Sequence, residues 1–276
     1  MELEYFLLTV LFFVIGLILG SFFNVLIYRL PEGKSIVLPG SYCPSCKRSI
    51  RMIENIPLFS YIFLGGKCAG CKAKISLQYP LIEFITAVAA MTLWHTLIYP
   101  FSTEPHAWWD YIPLALQFAT LLILIPIFVI DYYHYIIPDS ISLSGLVIGI
   151  AASFIPGGIT PLQMVIGILA GGGILVLIGL FGEYILRKKD AMGGGDIKLM
   201  AFIGAVWGWK IAILAIILGA LFGSVIGVLL ILVRILPKDH RIPFGPFLGA
   251  GVWIAFLWGD ALLLAYFSFI ESLVQM

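Results

Sequence analysis

Two aspartates carry the strongest chemical signal in this 276-residue chain. Asp131 lies in the run Ile130-Asp131-Tyr132-Tyr133-His134-Tyr135-Ile136-Ile137-Pro138-Asp139, and Asp196 in Gly193-Gly194-Gly195-Asp196-Ile197-Lys198. One closes an apolar stretch and the other opens one, so both belong where helices meet a membrane surface. A carboxylate kept at the edge of a bilayer is costly and marks a functional site by default. Two that face each other form an acid–base pair, one ionised to take a proton from water and one protonated to polarise a carbonyl. Asp131 ends its helix, where the macrodipole disfavours an anion, which suits the protonated role. The two titrate as a unit, however, and the sequence assigns the proton to neither.

The neighbours admit structural and functional readings side by side. Gly193 and Gly195 belong to three consecutive glycines, more than a helix cap requires, and such a stretch lets backbone approach a substrate closely. Asp139 follows Pro138 and precedes Ser140, which suits a helix N-cap first and a supporting place near the site second. Lys198 either holds a carboxylate ionised, binds a substrate carbonyl or snorkels at the surface. Glu83, just after Gln78-Tyr79-Pro80, is either an acid favoured by a helix N-terminus or a contact for a cationic substrate. Gly171, Gly172 and Gly173 fit close helix packing better than cofactor binding. No serine–histidine pair and no His-Glu-x-x-His motif offers a different hydrolytic centre.

The elements that position these groups are membrane helices. The chain is 61% hydrophobic and 11% charged, with a mean hydropathy of +1.08, which excludes a soluble globular protein. Apolar runs occur at roughly 5–27, 81–99, 112–130, 140–155, 162–182, 196–209, 211–233 and 247–270. The expected fold is therefore an all-α polytopic membrane protein with about eight spanning helices. Its organisation reads as a first helix over 1–27, a segment over 28–80, and a helical core over 81–276.

Basic residues set the orientation. The segment 28–80 holds eight Lys or Arg against Glu32 and Glu54, and further basic residues fall at Arg187, Lys188, Lys189, Arg234, Lys238 and Arg241. With eight spans these all lie on one face, which is the cytoplasmic one, and both termini lie outside. The first stretch lacks a basic start and an Ala-x-Ala site, so it reads as a permanent helix rather than a cleaved signal. No nucleic-acid patch stands out beyond the basic segment, no internal repeat is evident, and the oligomeric state stays open.

All four cysteines fall in that segment, as Cys43-Pro44-Ser45-Cys46 and Cys68-Ala69-Gly70-Cys71. Two CxxC pairs 21 residues apart match a zinc-ribbon type of tetrahedral site. The reducing cytoplasm disfavours disulfides there. Four thiolates leave no open position for water, so the expected zinc is structural, holding together a segment too small for a large core. Free or redox-active thiols are the competing reading.

Together these motifs resemble the bacterial type IV prepilin peptidases, or leader peptidase/N-methyltransferases. The resemblance runs through Gly20-Ser21-Phe22-Phe23-Asn24-Val25-Leu26-Ile27-Tyr28-Arg29-Leu30-Pro31, the CxxC pairs, Tyr79-Pro80-Leu81-Ile82-Glu83 and Asp131 through Asp139. It continues through Gly193-Gly194-Gly195-Asp196-Ile197-Lys198-Leu199 and Ile242-Pro243-Phe244-Gly245-Pro246-Phe247. The second aspartate motif also looks like the Gly-x-Gly-Asp of presenilin-type proteases, although the rest of the chain does not. The resemblance implies an intramembrane aspartic endopeptidase with Asp131 and Asp196 as the catalytic pair. It would remove the basic leader of type IV prepilins and secretion pseudopilins after a glycine, at the cytoplasmic side of the inner membrane. It further implies N-methylation of the new terminus with S-adenosylmethionine as donor, for which the sequence offers no Rossmann-type glycine motif.

A secondary transporter or channel binding ions at the two aspartates is the main competing reading. It lacks an inverted repeat, and both acids lie near one surface rather than mid-membrane. A scaffold using the cysteine segment to bind partners is a second. The basic segment 28–80 is also at odds with receiving a basic leader, which leaves Glu83 and Asp139 as candidate leader contacts.

Overall fold

The computed structural model describes residues 2–103, 105–185, 187, 192–234 and 242–274. In chain order the helices are α1 (Glu2–Arg29), α2 (Phe59–Phe63), α3 (Gln78–Leu93), α4 (Tyr99–Ser102) and α5 (Tyr111–His134). They continue as α6 (Asp139–Ala152), α7 (Pro161–Ile168), α8 (Ile174–Tyr184), α9 (Gly194–Leu232) and α10 (Gly245–Val274). Single π turns at Trp94–Ile98 and Leu169–Gly173 join α3 to α4 and α7 to α8 without breaking the rod. Among the described residues there is no β-strand, only two isolated bridges in the cysteine segment.

Among the described residues six rods are long and apolar enough to cross a membrane: Glu2–Arg29, Gln78–Ser102, Trp108–His134, Pro161–Tyr184, Gly194–Leu232 and Gly245–Leu273. The chain is thus a multi-pass membrane protein. The run expected at 140–155 is the 14-residue α6, about 21 Å at 1.5 Å per residue against a hydrocarbon core of about 30 Å. The two runs expected at 196–209 and 211–233 are two helices that meet at a kink at Gly208 (φ 77°, ψ −180°) and are named together as α9. Only glycine adopts that backbone cheaply. Lys188, Lys189, Lys238 and Arg241 lie outside the described residues.

The chain divides into two compact units, one of Met1–His106 with Leu122–Val129, the other of Ala107–Leu121 with Ile130–Met276. In the first, α1 and α3 pack antiparallel through glycine. A Cβ on Gly16 would stand 2.5 Å from Ala87 Cα, and one on Gly20 would stand 2.6 Å from Glu83 Cα. Bare Cα atoms let the two backbones nearly touch, the packing that lipid solvent favours because it offers no hydrophobic drive.

In the second unit α9 is the axis. Its first half takes α6 on one side, where Gly145 faces Phe202 and Gly149 faces Ala205 and Val206. On another side α7 and the following π turn run antiparallel to it, with Gly167 against the Gly204 backbone and Gly171 against the Met200 carbonyl. Beyond Gly208, α10 packs antiparallel, Gly251 meeting the Ala215 carbonyl and Gly219 the Leu248 backbone. Trp253 adds an indole bond of 3.2 Å to the Leu121 carbonyl of α5. Helix starts follow local chemistry: Thr160 caps α7 by accepting from the Gln163 amide, Gln163 accepts back from the Thr160 amide, and Pro161 takes the first helical position.

Candidate active site

Asp131 occupies the last turn of α5 and is only 6% exposed. The helix stops three residues later because Tyr135 turns left-handed (φ 57°, ψ 33°) and returns its amide to the Asp131 carbonyl. The carboxylate itself points at another helix. Gly245, the first residue of α10, donates its amide to Asp131 Oδ2 at 2.9 Å. The penalty of an acid at one helix's C-terminus is thereby offset by the positive N-terminal end of a second. A Cβ at Gly245 would stand 2.6 Å from the same oxygen, so this approach requires glycine.

Asp196 is the third residue of α9, and its carboxylate folds back over Gly193, where an added Cβ would lie 2.5 Å from Oδ2. Ile137 links the two acids. Buried itself, it packs against Gly245 beside Asp131, and a Cβ on Gly195 would stand 3.0 Å from its own Cβ. The glycine beside Asp196 thus makes room for Ile137. Residues distant in sequence converge here as two carboxylates, one buried and bonded, the other half-buried on the first turn of its helix.

Lys198 and Asp139 meet as a bidentate ion pair, Nζ lying 2.7 and 2.9 Å from the two carboxylate oxygens. The expected capping role of Asp139 is corrected by this geometry. Pro138, with extended backbone (φ −61°, ψ 125°), holds the cap position, and Asp139 is the first helical residue with its side chain turned to α9. Lys198 therefore neutralises Asp139 rather than Asp131 or Asp196.

The four cysteine sulfurs lie within 4.8 Å of one another, Cys43 and Cys71 at 3.9 Å. Four sulfurs about 2.3 Å from a tetrahedral zinc would sit about 3.8 Å apart, so the thiols fit such an ion. The two halves are copies of one backbone knuckle offset by 25 residues, a local repeat that the sequence reading missed. Cys43 and Cys68 donate their amides to the Arg48 and Ala73 carbonyls, while Lys47 and Lys72 turn left-handed and donate back to the cysteine carbonyls. The bridges Tyr42–Ser49 and Lys67–Lys74 close each knuckle. The amides of Cys46 and Ser45 hold the Cys43 thiol down at about 6. Cys71, although the Ala73 amide draws it down, is pushed up to about 11 by desolvation and by the thiols of Cys46, Cys68 and Cys43. A cluster that resists carrying four negative charges alone is what a cation would relieve.

Residues 14–97 match the Bacterial Peptidase A24 N-terminal domain, and residues 118–228 match the Type IV leader peptidase family. The prepilin leader peptidase/N-methyltransferase of Aeromonas salmonicida is 36% identical over 288 residues, covering 94% of this chain and 93% of that one. The chain belongs to the type IV leader peptidase family. Proteins of the same description from Pseudomonas aeruginosa (36% identity, 92% of each chain) and Legionella pneumophila (31%, 94% and 95%) span it equally well. No solved structure matches the chain.

Other residues of the stretches that resemble the leader peptidase family do structural work. Arg29 is buried and donates to the carbonyls of Ser35, Pro39 and Gly40, pinning the chain as it leaves α1. Asn24 donates to the Tyr79 carbonyl, tying α1 to the start of α3. Glu83 is buried and accepts the Leu58 amide at 2.8 Å, so it clasps the cysteine segment instead of standing open. A cleft of about 530 Å3 beside the second knuckle is lined by Tyr61, Gly66, Lys67, Lys74 and Leu77 among others. Two lysines and no acidic residue are among its lining residues.

Proposed function

We propose that this chain is an intramembrane aspartic endopeptidase that removes the leader of type IV prepilins or pseudopilins and then methylates the new N-terminus. The observation that carries the peptidase reading is the convergence of buried Asp131, held by the Gly245 amide, with Asp196 across Ile137. The ionised carboxylate takes a proton from water as its oxygen attacks the scissile carbonyl carbon, while the protonated partner hydrogen-bonds to the carbonyl oxygen. Collapse of the tetrahedral intermediate breaks the C–N bond, and the proton passes to the departing amine.

Burial of Asp131 in apolar side chains keeps bulk water from screening the pair. Cys43, Cys46, Cys68 and Cys71 would hold a zinc ion whose closed tetrahedral shell stabilises the segment and leaves the hydrolysis to the carboxylates. S-adenosylmethionine supplies the methyl group for the second reaction. The basic residues on one side of the spans support an active site facing the cytoplasm at the inner membrane.

The test is cleavage of a purified prepilin in liposomes by the parent chain, Asp131→Asn and Asp196→Asn, each confirmed as folded. Loss of cleavage in both variants, with a one-methyl mass gain on the parent product, is the expected result. Normal cutting by both removes the dyad.

A further inference from the structure

The cysteine segment turns its large apolar side chains outward. In α2, Phe59, Ile62 and Phe63 fall at i, i+3 and i+4 and share one face. That face is open, Phe63 being 83% exposed. Ser60, on the flank of that face about 100° round the helix from Phe59, is buried, and its hydroxyl donates to the Ile53 carbonyl at 2.8 Å and accepts from the Ile56 amide at 2.9 Å. Those two bonds fold the Met52–Asn55 turn against α2 and leave Met52 and Ile53 outside, 91% and 81% exposed. Five large apolar groups thus stand exposed on a knob made of α2 and the turn bonded to it. Clustered exposed apolar groups of this kind mark an interaction site.

Two further observations say what covers it. The first is position. The Leu58 amide, one residue before α2, is bonded to Glu83, the sixth residue of α3, about 7.5 Å along the axis from its start. Because α1 and α3 run antiparallel, Arg29 and Gln78 leave the membrane on the same side, and the knob sits beside the first turns of a spanning helix. The second is charge. Glu32 and Glu54 are already paired with Lys34 and Arg48. Lys67, Lys72 and Lys74 are exposed and form no ion pair with a carboxylate among the described residues. Lys67 and Lys74 line the acid-free cleft beside Leu77, which is also exposed.

We propose that α2, the Met52–Asn55 turn and the Lys67/Lys74 cleft form an interfacial anchor for anionic phospholipid. The knob enters the headgroup layer, and the cleft takes a lipid phosphate. Amphipathic segments with basic rims bind in this way, and anionic leaflets attract juxtamembrane basic clusters. The positive excess that would repel a basic substrate leader thereby acquires a partner of opposite sign. The inference is independent of the roles of Asp131 and Asp196 and needs only that α1 and α3 span the bilayer.

The experiment places a photoreactive benzoylphenylalanine at Phe63 in the full chain. The chain is reconstituted in nanodiscs of phosphatidylcholine alone or mixed with phosphatidylglycerol, and adducts are read by mass spectrometry. Retained metal shows that the segment is folded, and the same label at Ser45, exposed on the first knuckle, is the control. Lipid adducts at Phe63 well above those at Ser45, and more abundant with phosphatidylglycerol, are expected. Replacing Lys67 or Lys74 by Gln should lower the phosphatidylglycerol-dependent yield about fivefold per charge. Adducts to a second copy or to added prepilin in place of lipid, or Phe63 labelling no better than Ser45, would overturn the anchor.

Discussion

Gly245→Ala isolates the contact that holds Asp131. The new Cβ would stand 2.6 Å from the carboxylate oxygen, where a carbon contact of about 3.5 Å is comfortable, so something must yield by about 0.9 Å. Helix α10 has little room to retreat, because Gly251 and Leu248 already press its backbone against the Ala215 carbonyl and Gly219. The displacement therefore falls on Asp131 and on its bond from the Gly245 amide. A charge-assisted bond contributes about 1.5–3 kcal/mol, and a misplacement near 1 Å at a reacting group costs on the order of a hundredfold in rate. Cleavage should fall about a hundredfold. Helix propensity works the other way, since alanine is favoured over glycine by up to about 1 kcal/mol, so unfolding is not the expected route to that loss. The assay is prepilin cleavage in liposomes with thermal unfolding measured alongside. Gly173→Ala, which adds a methyl to open space, is the control. A Gly245→Ala enzyme that cuts within about threefold of the parent would refute the idea that the start of α10 positions Asp131.

The Lys198–Asp139 pair is partly exposed (40% and 58%), so its double-mutant coupling should be only about 0.2–1 kcal/mol and shrink with salt; cleavage rates of the two alanine variants and their combination measure it. Gly20→Ala should force α1 from α3 and destabilise the chain by about 1–3 kcal/mol, seen as a lowered midpoint in thermal denaturation. Protein purified under reducing conditions should carry one zinc per chain by elemental analysis. Cys43→Ser should lose it and leave the 30–77 segment open to limited proteolysis.

Much of the scaffold was legible because lipid imposes long apolar runs, and the four cysteines and two aspartates stand out against them. What stayed hidden was every bond formed across the fold. The amide that receives Asp131 lies 114 residues further along the chain, and no local pattern links a glycine before a proline to a distant acid. Lys198 finds Asp139 across 59 residues, so its partner could not be chosen from the three carboxylates in the two motifs. Asp139 also shows how a good local rule loses: Pro138 already supplies the extended backbone a cap needs, which frees the acid for another bond. The knuckle repeat escaped notice because its two copies share only the cysteines, the lysine after each pair and the isoleucines Ile50 and Ile75. The rest of the likeness is backbone hydrogen bonding, which many side chains permit.

The enclosure of α9 bears on how this protein can change over generations. From Leu199 to Val206 eight consecutive residues are buried, so the helix has no outward face just beyond Asp196. Neutral drift on a membrane helix ordinarily accumulates on its lipid side, one apolar residue replacing another. This octapeptide has no such side. Its glycine meets a neighbouring backbone and its larger residues fill fixed volumes, so an accepted substitution there requires a matching one on α6, α7 or the turn after α7. The post that carries Asp196 is thus tied to the histories of its neighbours, whereas the half of α9 beyond Gly208 is free to vary wherever it faces lipid.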